Sequence, residues 1–200
     1  MVEELSYFLD LQVKQTDCGL FVSQSKYVKD LVKRFGLDSK KHTRSMIGSL
    51  LYLIASRPDI AFSVGVCARF QADPKESHLN VVRRIIRYVN GTVDHGILYS
   101  RESNLELANY SDVDWAGNAD DRKSTSGGCF YVGSNLVSWM SKKQNSISLS
   151  TAKAEYIATG SYCTQLLWIK QMLSDYEINQ GIITVFCDNT SAINISKNPV

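Results

Sequence analysis

The sequence predicts a mixed fold of the α+β or α/β type: a mixed sheet with packed helices over residues 105–200, preceded by a small hairpin-plus-helices region over residues 1–99. Three observations carry this. Apolar runs at helical spacing crowd the first half. Short alternating or β-branched runs divided by glycine turns dominate the second half, in the order β-β-β-α-β-α. A polar loop, Ser100-Arg-Glu-Ser-Asn104, separates the two regimes.

The first element is a hairpin, Leu5 to Val13 and Leu20 to Val22, with turn chemistry supplied between Gln15 and Gly19. Ser25 stands where it would cap a helix through Phe35, which Gly36 ends. Tyr27, Val28, Leu31, Val32 and Phe35 share one face of it, with the lysines opposite. A second helix runs from about Arg44 to Ser56. Pro58 disfavours helical backbone at Arg57 and can start a new helix, so a third follows to Phe70. A fourth starts at Asp73-Pro-Lys75 and ends at Asn90-Gly91. Leu79, Val82, Ile85, Ile86 and Val89 form its apolar stripe, and Arg83, Arg84 and Arg87 fall largely off it.

Beyond the polar loop, Leu105 and Leu107 alternate into a strand reaching Tyr110-Ser-Asp112. Cys129 to Val132, turned by Gly133-Ser-Asn135 into Leu136 to Met140, is a second hairpin. Ser148 to Thr151 offers caps for a long helix from about Ala152 to Ser174. Ile182 to Cys187 is an apolar, β-branched strand, and Asn189 to Ser191 can cap a short helix through Ile195 or Ser196.

Hydrophobic residues make up 44% and charged residues 21% of the 200, ordinary for a soluble globular protein. The formal net charge of +2 makes no electrostatic case for nucleic acid. Basic residues do cluster, at Lys26, Lys29, Lys33, Arg34, Lys40, Lys41 and Arg44, then at Arg83, Arg84 and Arg87. They can track phosphates or solvate helix faces. The five cysteines form no CxxC pair, which argues against a zinc site or disulfide framework and for buried thiols in a reducing compartment. The N-terminus lacks the basic and apolar regions of a signal peptide. The longest apolar stretch, Met46 to Ala55, is too short for the roughly 20 residues that a bilayer span needs. An intracellular protein, cytoplasmic or nuclear and without a membrane partner, is expected.

Three carboxylates stand beside apolar element ends: Asp112 and Asp188 at strand ends, Glu155 one turn into a helix. Converging from two strands and a helix, they suit two hard divalent cations and phosphodiester cleavage. Each has a structural alternative: a turn or Asx cap for Asp112, a helix-dipole partner for Glu155, an N-cap for Asp188. A capping box does not account for Glu155, because Ala152 stands where Ser or Thr is required. Ala152, Ala154 and Ala158 would let the helix approach the sheet closely. Asp114 shares the face of Asp112 if the strand continues, and the sequence leaves open which of the two binds metal. The order and setting of the three carry the reading, rather than any one residue. His42, His78 and His95 are isolated, and Ser148 and Ser150 lack a GxSxG elbow, which argues against a histidine metal triad and a serine hydrolase.

Longer motifs then accumulate: Leu5 to Val13, Gln24 to Val28, Ser45 to Leu53 with Arg57-Pro-Asp-Ile60, Tyr110 to Gly117, Asp121 to Gly127, Val137-Ser-Trp139 with Lys142-Lys-Gln144, Ser148 to Tyr156, and Cys187 to Ala192. In this order they resemble the C-terminal part of a copia-type (pseudovirus) LTR-retrotransposon polyprotein, namely its reverse transcriptase tail with thumb and connection helices, followed by ribonuclease H. The resemblance implies that Asp112, Glu155 and Asp188, with Asp114 as an alternative, hold two Mg²⁺ ions, or Mn²⁺, for cleavage of the RNA strand of an RNA–DNA hybrid. It also lets Ser124, Thr125, Ser126 and Asn189 offer hydroxyls or amides to phosphate, with loop and cap chemistry as the alternative. Arg83, Arg84 and Arg87 are further nucleic-acid candidates.

Three departures from the family pattern bear on activity. The polymerase palm is absent, so DNA polymerisation is not expected. Leu37 to Thr43 is short where the family carries a longer, proline-rich segment, as a deletion would leave it. Val200 precedes the family's C-terminal helix and fourth carboxylate, which would weaken the site and uncover one sheet face. Weak or absent turnover is the expectation. Two alternatives follow: a non-catalytic binder of nucleic acid with steep salt dependence, or a repurposed effector that binds protein through the uncovered sheet face.

Overall fold

The computed structural model describes residues 6–36 and 43–198, folded as two units, Met1–Glu102 and Ser103–Val200. Leu5, Lys40, Lys41, His42, Val200 and the shortened stretch before Thr43 lie outside the described residues.

In the first unit Leu9 and Asp10 both adopt left-handed backbone, with φ of 48° and 60°. The early apolar run is therefore folded back on itself, β1 (Tyr7–Phe8) against β2 (Leu11–Thr16), before the expected turn into β3 (Gly19–Ser23). A further strand, β4 (Gly96–Ser100), pairs antiparallel with β3 and completes a sheet of order β1-β2-β3-β4. Gly19 makes this approach possible, since at φ 149° a β-carbon there would collide with the Tyr99 backbone. The helices are α1 (Ser25–Phe35), α2 (Thr43–Leu53), α3 (Ala61–Ala68) and α4 (Glu76–Gly91), with a 3₁₀ turn at Pro58–Ile60. Val28, Leu31, Met46, Ile47, Leu50, Val64, Val82 and Ile86 meet in their shared core.

Ser25 does not cap α1. The N-cap is Gln24, without a side-chain cap bond, because the buried Gln24 Oε1 instead accepts from Ser56 Oγ at 2.8 Å. Arg57 is also buried, and its fork donates to Asp59 at 2.9 and 2.7 Å and to the Thr92 carbonyl and hydroxyl at 3.0 and 2.8 Å. The break at Pro58 is thereby tied to the end of α4.

The second unit runs β5 (Leu107–Asp114), β6 (Thr125–Val132), β7 (Asn135–Lys143), α5 (Thr151–Asp175), β8 (Thr184–Cys187) and α6 (Thr190–Lys197). This is the mixed sheet with packed helices that the sequence predicts. The sheet order is β7-β6-β5-β8, with β5 antiparallel to β6 and parallel to β8. Strand β8 begins at Thr184 rather than Ile182. Ahead of it, the Gln180 amide donates to the Leu105 carbonyl at 2.6 Å and accepts from Leu107 N at 2.9 Å. Those bonds take the backbone groups that a longer strand would have used.

Leu107, Phe130 and Val132 on one sheet face pack against Ala158, Tyr162, Leu166 and Ile169 of α5. On the opposite face the Tyr110 ring, 51% exposed, stacks on Phe186 with centroids 4.6 Å apart and meets Tyr131 edge-on at 5.5 Å. No helix among the described residues is long and apolar enough to cross a membrane.

Tyr162 fixes how closely α5 sits on the sheet. Its ring lies over Gly128, where a β-carbon would stand 2.8 Å from it, and with 1% exposure the ring has no room to swing aside. Gly128→Ala is expected to cost about 1–3 kcal/mol as an overpacking change, read as a lower urea midpoint. An unchanged midpoint would contradict this packing.

Candidate metal centre

The parallel register ends with Ser111 opposite Cys187, and the next residue along each strand is a carboxylate, Asp112 and Asp188. Adjacent strands lie about 4.8 Å apart, so both carboxylates stand at the same end of the sheet. The carboxyl ends of parallel strands are also where α/β sheets hold ligands. Helix α5 brings the third group. Ala154 and Ala158 are fully buried, which seats the helix on the sheet, and Glu155 between them is only 5% exposed. Ser150 caps this helix by accepting from Lys153 N at 3.2 Å.

Ligand atoms of Glu155, Cys187 and Asp188 all lie within 4.8 Å of one another. The Cys187 thiol donates to Glu155 Oε2 at 3.9 Å. Burial, then the charges of Asp188 and Asp112, push the Glu155 carboxyl above its ordinary value, partly offset by the Val113 N–H and the Cys187 thiol. Burial also pushes the Cys187 thiol up. A buried carboxylate facing two like charges is relieved by a proton or by a cation. Two carboxylates in mutual reach, with a third charge nearby, suit a divalent ion, and the thiol adds a softer donor.

Among the described residues the other candidates lie outside the ligand-atom cluster of Glu155, Cys187 and Asp188, Asp112 acting on Glu155 through its charge. Asp112 Oδ1 accepts from Val113 N at 2.8 Å, while the Asp114 carboxylate folds over Gly117, where a β-carbon would strike it. Ser124, Thr125 and Ser126 are all buried. Ser124 Oγ accepts from Ala116 N at 3.1 Å and Ser126 Oγ from Gln144 Nε2 at 2.9 Å, and it is their burial, rather than these bonds, that sets the two hydroxyls away from solvent. Asn189 is the N-cap of α6, accepting from Ala192 N at 3.0 Å. Arg83, Arg84 and Arg87 lie on α4 in the first unit, with Arg84 and Arg87 exposed and Arg83 half-buried and donating to Asn80 at 3.4 Å. They are not part of the carboxylate cluster.

Two residues gave no functional signal in the sequence. Cys187 looked like an ordinary buried thiol, and only its place in β8 next to Asp188 brings it to Glu155. Gln144 was one polar letter in a motif, although its side chain is a buried junction.

No protein-family model matches the chain. It is 35% identical over 223 residues to the Retrovirus-related Pol polyprotein from transposon RE1 of Arabidopsis thaliana, covering 99% of this chain and 15% of that protein. The chain belongs to the copia-type Pol polyprotein family of retrotransposons. This copia-type chain thus spans about 15% of the length of the Arabidopsis polyproteins it matches. It is also 38% identical over 126 residues to Secreted RxLR effector protein 161 of Plasmopara viticola, covering 62% of this chain and 89% of that protein. Among solved structures, that of the foamy viral protease-reverse transcriptase in complex with dsDNA aligns with a TM-score of 0.50 at 14% identity, over 97% of this chain and 38% of that one. The likeness is one of fold.

The raised Glu155 carboxyl sets a pH dependence. Between its usual 4.5 and its higher folded value the folded state holds more protons than the unfolded, so stability falls as pH rises through that window. The metal-free chain is expected to show this fall in Tm. Glu155→Gln should remove it and raise Tm at neutral pH by a few degrees. Destabilisation of the metal-free chain by Glu155→Gln would contradict the electrostatic picture.

Proposed function

We propose that the second unit is a retrotransposon-derived ribonuclease H-like fragment, whose chemistry is metal-dependent hydrolysis of the RNA strand of RNA–DNA hybrids with weak or no turnover in this chain, and that the first is a reverse transcriptase tail with thumb- and connection-like helices. The observation that carries this is the cluster of Glu155 with Asp188, with the charge of Asp112 acting on the same carboxylate. Asp112, Glu155 and Asp188 would hold two Mg²⁺ ions, or Mn²⁺. When bound, such ions supply an activated water and stabilise the leaving oxygen.

The chain's own residues do the remainder. Asp112 and Asp188 are exposed and would offer their carboxylates to such an ion. Glu155, carried by α5, would have to give up its proton to join them, so metal affinity should rise with pH through the Glu155 window. The exposed Arg84 and Arg87, with the lysines of α1, offer non-specific phosphate contacts. Membership of the retrotransposon family and a fold like that of a reverse transcriptase support nucleic acid as the partner.

A second reading is favoured by the likeness to the RxLR effector and by the half-exposed aromatic face of Tyr110 and Phe186: a repurposed protein-binding role at that face. Protein binding insensitive to Mg²⁺ and to salt would mark it.

The test is cleavage of a labelled RNA–DNA hybrid by the purified chain in Mg²⁺ or Mn²⁺, beside Asp188→Asn. The expected outcome is weak metal-dependent cleavage that the variant loses by at least about a hundredfold, the upper end of what changes beyond the direct ligands cost. A folded parent chain that leaves the hybrid intact would overturn the nuclease reading.

A further inference from the structure

Gln144, just past the end of β7, makes an unusual number of bonds for a residue outside the carboxylate cluster. It is buried, and its backbone N donates to the Ser124 carbonyl at 2.8 Å. Its side-chain Nε2 donates to Ser126 Oγ and to the Ala154 carbonyl, both at 2.9 Å. Its Oε1 accepts from Ser148 Oγ at 3.2 Å. One amide thus joins β6, the turn before α5 and the first turn of α5, using both donor hydrogens and one acceptor site. Trp115 Nε1 donates to the Ser148 carbonyl at 3.0 Å and holds the same turn from beyond the end of β5.

The tether lands one residue from Glu155. First turns fray because their donors lack helical partners, and the Ser150 hydroxyl holds only the Lys153 N–H while its carbonyl accepts the Ala154 N–H at 3.1 Å. Nothing in that cap fixes how far the helix end is rotated or lifted on the sheet. The bond to the Ala154 carbonyl does fix it, from the sheet side. A ligand carboxylate has to be held to within about 0.5 Å, and the groups that orient it commonly govern affinity.

We infer that Gln144 is a positioning residue, which holds the first turn of α5 so that Glu155 meets Asp112 and Asp188. The inference rests on the metal centre proposed above and adds to it the side chain that sets the centre's geometry. Gln144 touches neither metal nor substrate in this role. It acts through Ala154.

The full chain and its Gln144→Met variant, which nearly keeps the side-chain volume and removes every amide bond, are titrated with Mn²⁺. Amide hydrogen exchange is followed at Ala154, Glu155 and Tyr156. Phe130→Leu, a core change on β6, is the control for general loss of stability. Expected are a roughly 10–100-fold weaker Mn²⁺ affinity in Gln144→Met and faster exchange confined to those amides, with neither effect in Phe130→Leu. If Gln144→Met does not fold, Gln144→Asn, whose shorter amide cannot span Ser126 and Ala154 together, gives the same comparison. Parent-like Mn²⁺ affinity in a folded variant, or a loss no greater than that of Phe130→Leu, overturns the positioning role alone. A folded parent that binds no Mn²⁺ overturns the metal centre, and the inference with it.

Discussion

A carboxylate held almost out of water beside two others is the constraint on which the second unit depends. Glu155 would be cheaper as glutamine in a metal-free fold, since burial and two like charges all disfavour its ionised form. Its surroundings are arranged to hold it there. Alanines on either side let α5 lie close, Tyr162 seats on a bare Gly128, and the parallel pairing of β5 with β8 carries both strands to a carboxylate at the same end of the sheet. A site whose charges repel without their ion is the usual arrangement for metal chemistry, where stability is given up locally for affinity.

Both units solve the same problem of fixing a helix end that local propensity leaves loose, and both use a buried polar fork. In the first, Arg57 ties the break at Pro58 to the end of α4 through Asp59 and Thr92, with the Tyr88 hydroxyl donating to Asp59 at 2.9 Å. In the second, Gln144 ties the start of α5 to β6. Each is nearly saturated with hydrogen bonds, which is the condition under which burying such groups does not weaken a core.

What was legible in the sequence follows from the range of the interactions. The stripe Leu79, Val82, Ile85, Ile86 and Val89 reads directly as the buried face of α4, because helical spacing is a local property. The mixed β-β-β-α-β-α layer was readable for the same reason. Strand β4 was not, since Gly96–Ser100 carries no alternation and gains its partner, β3, only from the distant start of the chain. Leu9 was not suspected at positive φ, because nothing in its side chain favours it. Ser25 looked like a cap until Gln24 and Ser56 found each other across the core. At the candidate centre, the carboxylates announced themselves by type and order. Cys187 and Gln144 did not, because their roles exist only in the pairing of β5 with β8 and the packing of α5. Ser124 and Ser126 show the converse, hydroxyls that suited phosphate in the sequence and are buried inside the fold.

The most direct test of the metal centre is paramagnetic broadening of the amide NMR spectrum of the folded chain by substoichiometric Mn²⁺. The account predicts losses concentrated at Asp112, Val113, Glu155, Cys187 and Asp188, reversed by excess Mg²⁺. Broadening spread over exposed acids such as Asp94, Asp120 and Asp175, with these five no more affected, would contradict it.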